Sequence, residues 1–230
     1  MKNSRFKTIG MVVAMDKEVR PFLDKFGKNV KETTVGGYDV FECDINSKKV
    51  YLIKSGIGEI YASGATAILT SVYNADIILN FGVCGSLKDD ISVYESVVIS
   101  GVVHYDFDLS KIDGTKVGQY PGYDVVIKTN EELIEMAIKL NDSLKPAICA
   151  SADKFVDGED FKKQLVADFK VDVCDMECAG VLLTSLKANV PALIIKAVSD
   201  GKGGAEEFNR RVNKASSVYL DTLKNIIENL

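Results

Sequence analysis

The chain has 230 residues, 47% apolar and 27% charged, enough to bury a core without disulfides or a structural metal. A formal net charge of −5, with only four arginines (Arg5, Arg20, Arg210 and Arg211), excludes a basic nucleic-acid surface and leaves little for an arginine clamp on phosphate. The cysteines Cys43, Cys84, Cys149, Cys174 and Cys178 have no compact spacing and read as reduced thiols of a cytoplasmic protein, and no apolar run reaches the length of a membrane span.

Residues 7–14, apolar and β-branched, predict a buried strand. That run is too short for a secretory signal, and Asp16-Lys-Glu18 follows where a cleavage site would lie. Val19, Phe22, Leu23 and Phe26 then keep helical spacing up to a stop at Gly27. Pro21 is tolerated only in a first turn, so this helix is expected to begin near Glu18. Residues 29–54 hold three alternating runs with turn signals at Gly36-Gly37 and Asn46-Ser47, the pattern of antiparallel strands. Ser55-Gly-Ile-Gly58 opens a helix to about Tyr73. Strands are expected at 77–81 and 95–103. Thr129-Asn-Glu-Glu132 matches a capping box before a helix to about Leu140. A strand at 146–152, a helix at 160–169, a strand at 171–174, a helix at 176–188 and a strand at 191–198 follow. One last helix is expected from Ala205 nearly to the end, its Phe208, Val212, Ala215, Tyr219, Leu223 and Ile226 forming an apolar stripe. Strands alternate with helices around one antiparallel insertion. This predicts an α/β fold: a three-layer α/β/α sandwich with a mixed central sheet, in one domain over residues 1–230.

Two carboxylates stand where the expected core opens to solvent. Glu177 follows the strand at 171–174, and Asp200 ends the apolar strand before Gly201-Lys-Gly-Gly204, a flexible stretch able to act as a lid. Carboxylates in different surroundings can be tuned apart, one to hold a sugar and one to carry a proton. Taken alone, Glu18 reads as a complement to a helix dipole, Arg20 as solvated and the lone His104 as structural. Gly56-x-Gly58 could cradle a phosphate at a helix start, but the third glycine of a dinucleotide fingerprint is absent, and a tight turn is the simpler reading. No serine or cysteine has a triad partner. Cys174 and Cys178 are too few for a metal, so no metal and no cofactor is expected.

Several motifs together resemble a known family. They are Gly10-Met-Val-Val-Ala-Met-Asp-Lys-Glu18, Lys54-Ser-Gly-Ile-Gly58, Asn80-Phe-Gly-Val-Cys-Gly85, Gly118-Gln-Tyr-Pro-Gly122, Ser151-Ala-Asp-Lys-Phe155, Asp175-Met-Glu177 and Ala197-Val-Ser-Asp200. In order and spacing the chain resembles the 5′-methylthioadenosine/S-adenosylhomocysteine nucleosidases of the nucleoside phosphorylase superfamily, over nearly its whole length. The resemblance implies a methionine-salvage hydrolase that cleaves adenine from a 5′-thio-substituted ribose with water. It implies Asp200 as the general acid to purine N7, oriented by Ser199, and Glu18 as the base on the attacking water. It implies that Phe155 stacks on the base and the Val156 backbone reads its edge. Met176 and Glu177 would hold the ribose. The 5′ pocket would draw on Met15, Ile57, Ile112 and Pro121, with a segment from a neighbouring subunit, hence a homodimer. The partner is a small purine nucleoside, not nucleic acid or membrane.

The sequence departs from the family at the sugar end. Val83 replaces a serine near the water and ribose. Lys196 replaces an arginine near the same water, keeping the charge but not the planar fork. The negative charge of Glu18 favours water over phosphate as nucleophile. A phosphate-dependent purine nucleoside phosphorylase and a weakly active nucleoside-binding protein are the alternatives.

Overall fold

The computed structural model of the chain describes residues 5–27 and 29–230. Strand β1 (Thr8–Val13) lies between β4 (Lys48–Lys54) and β5 (Ile77–Ser86), parallel to both. β2 (Lys31–Val35), β3 (Tyr38–Ile45) and β4 form the expected antiparallel meander. Both turns have two successive residues at positive φ: Gly36 and Gly37, then Asn46 and Ser47. That geometry matches the right-handed twist of a hairpin.

The remaining strands are β6 (Ser96–His104), the two-residue β7 (Ile127–Lys128), β8 (Lys145–Ser151), β9 (Val173–Asp175) and β10 (Ala192–Asp200). The order β10-β6-β8-β9-β5 closes on itself, because β5 also pairs with β10. A ring of five strands thus carries an extension, β1-β4-β3-β2. The sheet is mixed: β5 and β10 are parallel, whereas β6 runs antiparallel to β10 and β9 antiparallel to β5.

Helices α1 (Asp16–Phe26), α2 (Glu59–Ser71), α3 (Ser110–Asp113), α4 (Glu131–Leu140), α5 (Glu159–Phe169), α6 (Cys178–Lys187), α7 (Gly204–Val218) and α8 (Leu220–Asn229) complete the chain. Alternation along each strand splits the core in two. Ile9, Met11, Val13, Ile77, Leu79 and Phe81 pack on one face with residues of α1, α4, α7 and α8, such as Phe22, Leu133, Val212 and Ile226. Val12, Ile53, Ile78 and Ile194 point the other way, against Ala62, Ala65 and Leu69 of α2 and Ala179 and Leu182 of α6. These are the three layers. Among the described residues no helix is long and apolar enough to cross a membrane.

Four local expectations are corrected. α1 begins at Asp16, and Pro21 lies inside it. The missing amide of Pro21 leaves the Lys17 carbonyl without its helical donor, and Lys17 lies on the exposed side of α1. The cap of α4 is Asn130, whose Oδ1 accepts from the Leu133 amide at 3.0 Å. Thr129 instead donates to the carbonyl of Ile99 at 2.6 Å. β5 runs five residues past its expected end, because β9 and β10 supply partners there. The last helix breaks at Tyr219 into α7 and α8, although its apolar stripe continues into the same core.

Candidate active site

β1, β5 and β10 are parallel, and their C-terminal ends meet at one edge, where open α/β sheets place ligands. A cavity of about 330 Å³ opens there, within the ~300–1,000 Å³ range of small-molecule pockets. Met15, Glu18, Ile57, Val83, Phe155, Val156, Met176, Glu177, Ser199 and Asp200 all line it. Lys196 lies beneath the lining, 2% exposed. Ile112 and Pro121 are not brought to the cavity; both are exposed, Ile112 by 82%. His104 also stands outside it, with Nε2 2.8 Å from both Glu59 Oε2 and Asp106 Oδ1 and Nδ1 2.7 Å from the Tyr120 hydroxyl.

Glu18 bends back over the start of α1. Its Oε2 accepts from the amides of Ala14 and Met15, each at 2.9 Å, and its Oε1 from the amide of Val83 at 3.0 Å. The carboxylate therefore caps its own helix and ties β1 to β5. Gly82 makes room: a Cβ there would lie 2.4 Å from Glu18 Oε1. Burial pushes the Glu18 carboxyl up, against the pull of Lys196 and the three amides.

Beneath the end of the cavity lined by Glu18 and Glu177, one cation serves several acids. Lys196 Nζ lies 2.9 Å from Asp175 Oδ2 and 3.9 Å from Glu177 Oε2. Burial alone would raise Asp175, but Lys196 and the side chains of Cys178 and Ser151 together hold it below the usual range. Burial pushes Glu177 up to about 8, with Asp175 and Glu18 adding repulsion. Glu177 precedes α6, and its Oε1 accepts from the Gly58 amide at 3.1 Å. The Glu59 amide is taken by Asp153 Oδ1 at 2.6 Å. Two of the amides at the start of α2, the place where a glycine turn could hold phosphate, are thus occupied by the protein's own carboxylates. Cys149, Asp175 and Cys178 bring ligand atoms within 4.8 Å of one another. Lys196 already neutralises Asp175, and burial keeps both thiols protonated, so the cluster offers a divalent ion little charge.

At the other end, the β10–β5 register slips between Val198 and Asp200, leaving Ser199 bulged. Such a bulge re-aims side chains at a strand end. Ser199 Oγ lies 2.8 Å from Asp200 Oδ1 and 3.2 Å from the Cys84 carbonyl. A hydroxyl has one proton. When Asp200 is ionised, Ser199 donates to it. When Asp200 is protonated on Oδ2, Oδ1 still accepts from Ser199, whose hydroxyl can turn to the Cys84 carbonyl instead. Burial pushes Asp200 up to about 6, against the pull of Ser199 and Lys162.

Sequence reasoning missed the roles of four residues here. Asp175 lay within a quoted motif without a role. Phe208 was read as part of an apolar stripe, yet it lines the cavity and meets Phe155 edge-on at 5.7 Å between centroids. Gly58 and Lys162 act through groups far away in sequence.

A carboxyl pushed up toward neutrality at one end of an apolar slot, with buried acids at the other, suits the cleavage of a base from a sugar. Over residues 8–228 the chain matches the family model of the phosphorylase superfamily, and it belongs to that superfamily. An aminodeoxyfutalosine nucleosidase of Helicobacter pylori is 29% identical, over 96% of this chain and 99% of its own. A 5′-methylthioadenosine/S-adenosylhomocysteine nucleosidase of Haemophilus influenzae is 32% identical, over 92% of this chain and 96% of its own. The Helicobacter pylori 5′-methylthioadenosine/S-adenosylhomocysteine nucleosidase, complexed with a pyrrolidinol bearing an aminopyrrolopyrimidine and a thioether, superimposes with a TM-score of 0.93 at 28% identity, covering 97% of this chain and 99% of that one.

Proposed function

We propose that the protein hydrolyses the N-glycosidic bond of 5′-substituted adenosines, of the methylthioadenosine and S-adenosylhomocysteine type, and releases adenine. The observation that carries this reading is Asp200, a buried carboxyl pushed up to about 6, in one cavity with the buried acids Glu18 and Glu177. Phe155 stacks on the adenine, and the Val156 backbone reads its edge. Asp200 gives its proton to N7 as the bond from C1′ to N9 breaks, so the electron pair leaves on a neutral base. Positive charge grows on the ribose. Glu177, with Met176 beside it, holds the 2′ and 3′ hydroxyls, and the growing positive charge favours the ionised forms of Glu177 and Glu18, which stabilise it in a dry site. Glu18 takes a proton from water, whose oxygen bonds to C1′. Ionised Glu18, with the Gly58 and Glu59 amides already occupied, repels phosphate. The kinship with named nucleosidases supports hydrolysis over phosphorolysis.

We read the chain further as a cytoplasmic homodimer in methionine salvage. Its five cysteines are free thiols, in keeping with a reducing compartment. Ile57, Ile60, Tyr61 and Ile112 are more than half exposed, and Ile57 lines the mouth of the cavity. A second subunit laid there would bring Ile112 and Pro121 to the 5′ end.

Asp200→Asn keeps shape but removes the proton, and adenine release should fall ~10²–10⁴-fold. A near-normal rate would sink the assignment. In phosphate-free buffer, methylthioadenosine, S-adenosylhomocysteine and aminodeoxyfutalosine can be compared, with the sugar product identified. A free sugar is expected. A sugar 1-phosphate formed only with added phosphate would establish a phosphorylase. Tight binding without turnover would establish a binding protein.

A further inference from the structure

Lys162 is an unusual lysine. It lies in the first half of α5, a helix whose other lysine, Lys163, is exposed, yet Lys162 is only 7% exposed. Lysine is almost never buried without a partner. Its Nζ donates to the carbonyl of Gly201 and lies 3.9 Å from Asp200 Oδ2. From the opposite side, Glu207 Oε2 accepts from the amides of Gly201 at 2.8 Å and Gly203 at 3.3 Å. The glycine stretch after Asp200 is therefore clamped between α5 and α7.

The separation of 3.9 Å matters. It exceeds hydrogen-bond length, so Oδ2 stays free to carry and deliver a proton, yet it is short for two charges. Asp200 is faced by Lys162 from α5, Glu207 from α7, Asp157 from the turn before α5, Cys174 from β9 and the Ser199 hydroxyl. Burial, Glu207 and Asp157 favour a proton on Asp200. Lys162 is the one cation among these groups, and it favours the carboxylate.

We propose that Lys162 is a positioning residue for the general acid: anchored on the Gly201 carbonyl, its charge steadies the carboxylate that forms as the proton passes to the base, and it sets the pH above which activity falls. This rests on Asp200 being the acid. As N7 takes the proton, negative charge appears on Asp200, and a fixed cation nearby stabilises the transition state. The same charge makes free Asp200 release its proton at lower pH. Removing it should slow the enzyme on the acid side of its profile and move the alkaline limb upward, so the two curves converge as pH rises.

The test is the pH profile of kcat/KM for adenine release by the wild type, Lys162→Gln, Lys162→Met and Lys162→Arg. Glutamine keeps a donor for Gly201 and loses the charge. Its alkaline limb should lie about one pH unit higher, with a roughly tenfold lower rate on the acid side. Arginine should keep the limb near that of the wild type. A Lys162→Gln limb that coincides with the wild type, with the rate lowered equally at every pH, would leave Lys162 a purely structural clamp and overturn the proposal. Should Lys162→Met fail to fold, Lys162→Gln decides alone. Asp200→Asn runs alongside. If it is inactive and the limb is unmoved, only the role of Lys162 fails; if it is active, the acid assignment beneath it fails.

Discussion

The carboxyl that makes Asp200 useful also weakens the fold at neutral pH. Its folded value of about 6 lies above the ordinary 3.8. Below about pH 4 the proton is present in both states and nothing is lost. As pH rises through 6 the unfolded chain ionises freely while the folded one resists, which lowers stability by up to about 3 kcal/mol. Asp200→Asn should therefore raise stability by about 1–3 kcal/mol at pH 8 and hardly change it at pH 4. Thermal melts at both values check this; an equal effect at the two would contradict the buried-charge account. Val83→Ser concerns the opposite end. The Val83 amide already holds Glu18, and its side chain lines the cavity. A hydroxyl there should shift the chemical step or sugar affinity roughly twofold to tenfold while adenine affinity stays constant. A changed adenine affinity with unaltered turnover would show that this loop reads the base. Glu177 and Asp200 were legible as carboxylates at strand ends, and Glu18 only through the family resemblance, since alone it reads as a helix-dipole partner. Lys162 was not: its partner Gly201 lies 39 residues away, and a lysine on an amphipathic helix reads as solvated.

Element types were legible from periodicity, and their ends were not. Gly82 and Gly85 interrupt the apolar run of β5 and suggest a stop, but pairing with β10 and β9 carries the strand through them. The break at Tyr219 left no trace, because one non-helical residue barely disturbs a 3.6-residue stripe. The contact of α2 with α6 was likewise invisible. It depends on Gly180, where a Cβ would lie 2.4 Å from the Glu59 carbonyl and 2.9 Å from Ser63 Oγ. That contact sets the α2 start against Glu177, since the Gly58 amide donates to it. Gly180→Ala should thus cost about 1–3 kcal/mol of stability and also slow turnover as Glu177 moves. Melting and kinetics on the same sample would test the link: a destabilised variant with unchanged kinetics would show that helix spacing does not govern the site.

At the scale of the molecule, closure of β5 onto β10 and β9 explains why one end of the sheet can hold a dry site. Every residue of β5 and β10 is buried, so Asp200 at the tip of β10 and Glu18, held by the Val83 amide of β5, are backed by apolar core rather than water. Alternation of strands and helices foretold three layers, but not the ring, because long-range pairing leaves no local signature. The other end of the cavity is different. Ile57 is 54% exposed, and Ile60 and Tyr61, on the first turn of α2, are 77% and 57% exposed. Contiguous apolar surface beside a cavity mouth marks a contact surface more often than a wall facing water. If a second subunit completes the 5′ pocket, Ile60→Glu should turn a dimer into a folded monomer. It should also raise KM for methylthioadenosine about tenfold, the worth of a ~1–2 kcal/mol apolar contact, and raise that for adenosine, which lacks the thioether, much less. Sedimentation and paired kinetics on both substrates decide the matter. A wild-type chain that is monomeric and fully active at micromolar concentration would mean that the 5′ pocket is built from one chain, with Ile112 and Pro121 outside it.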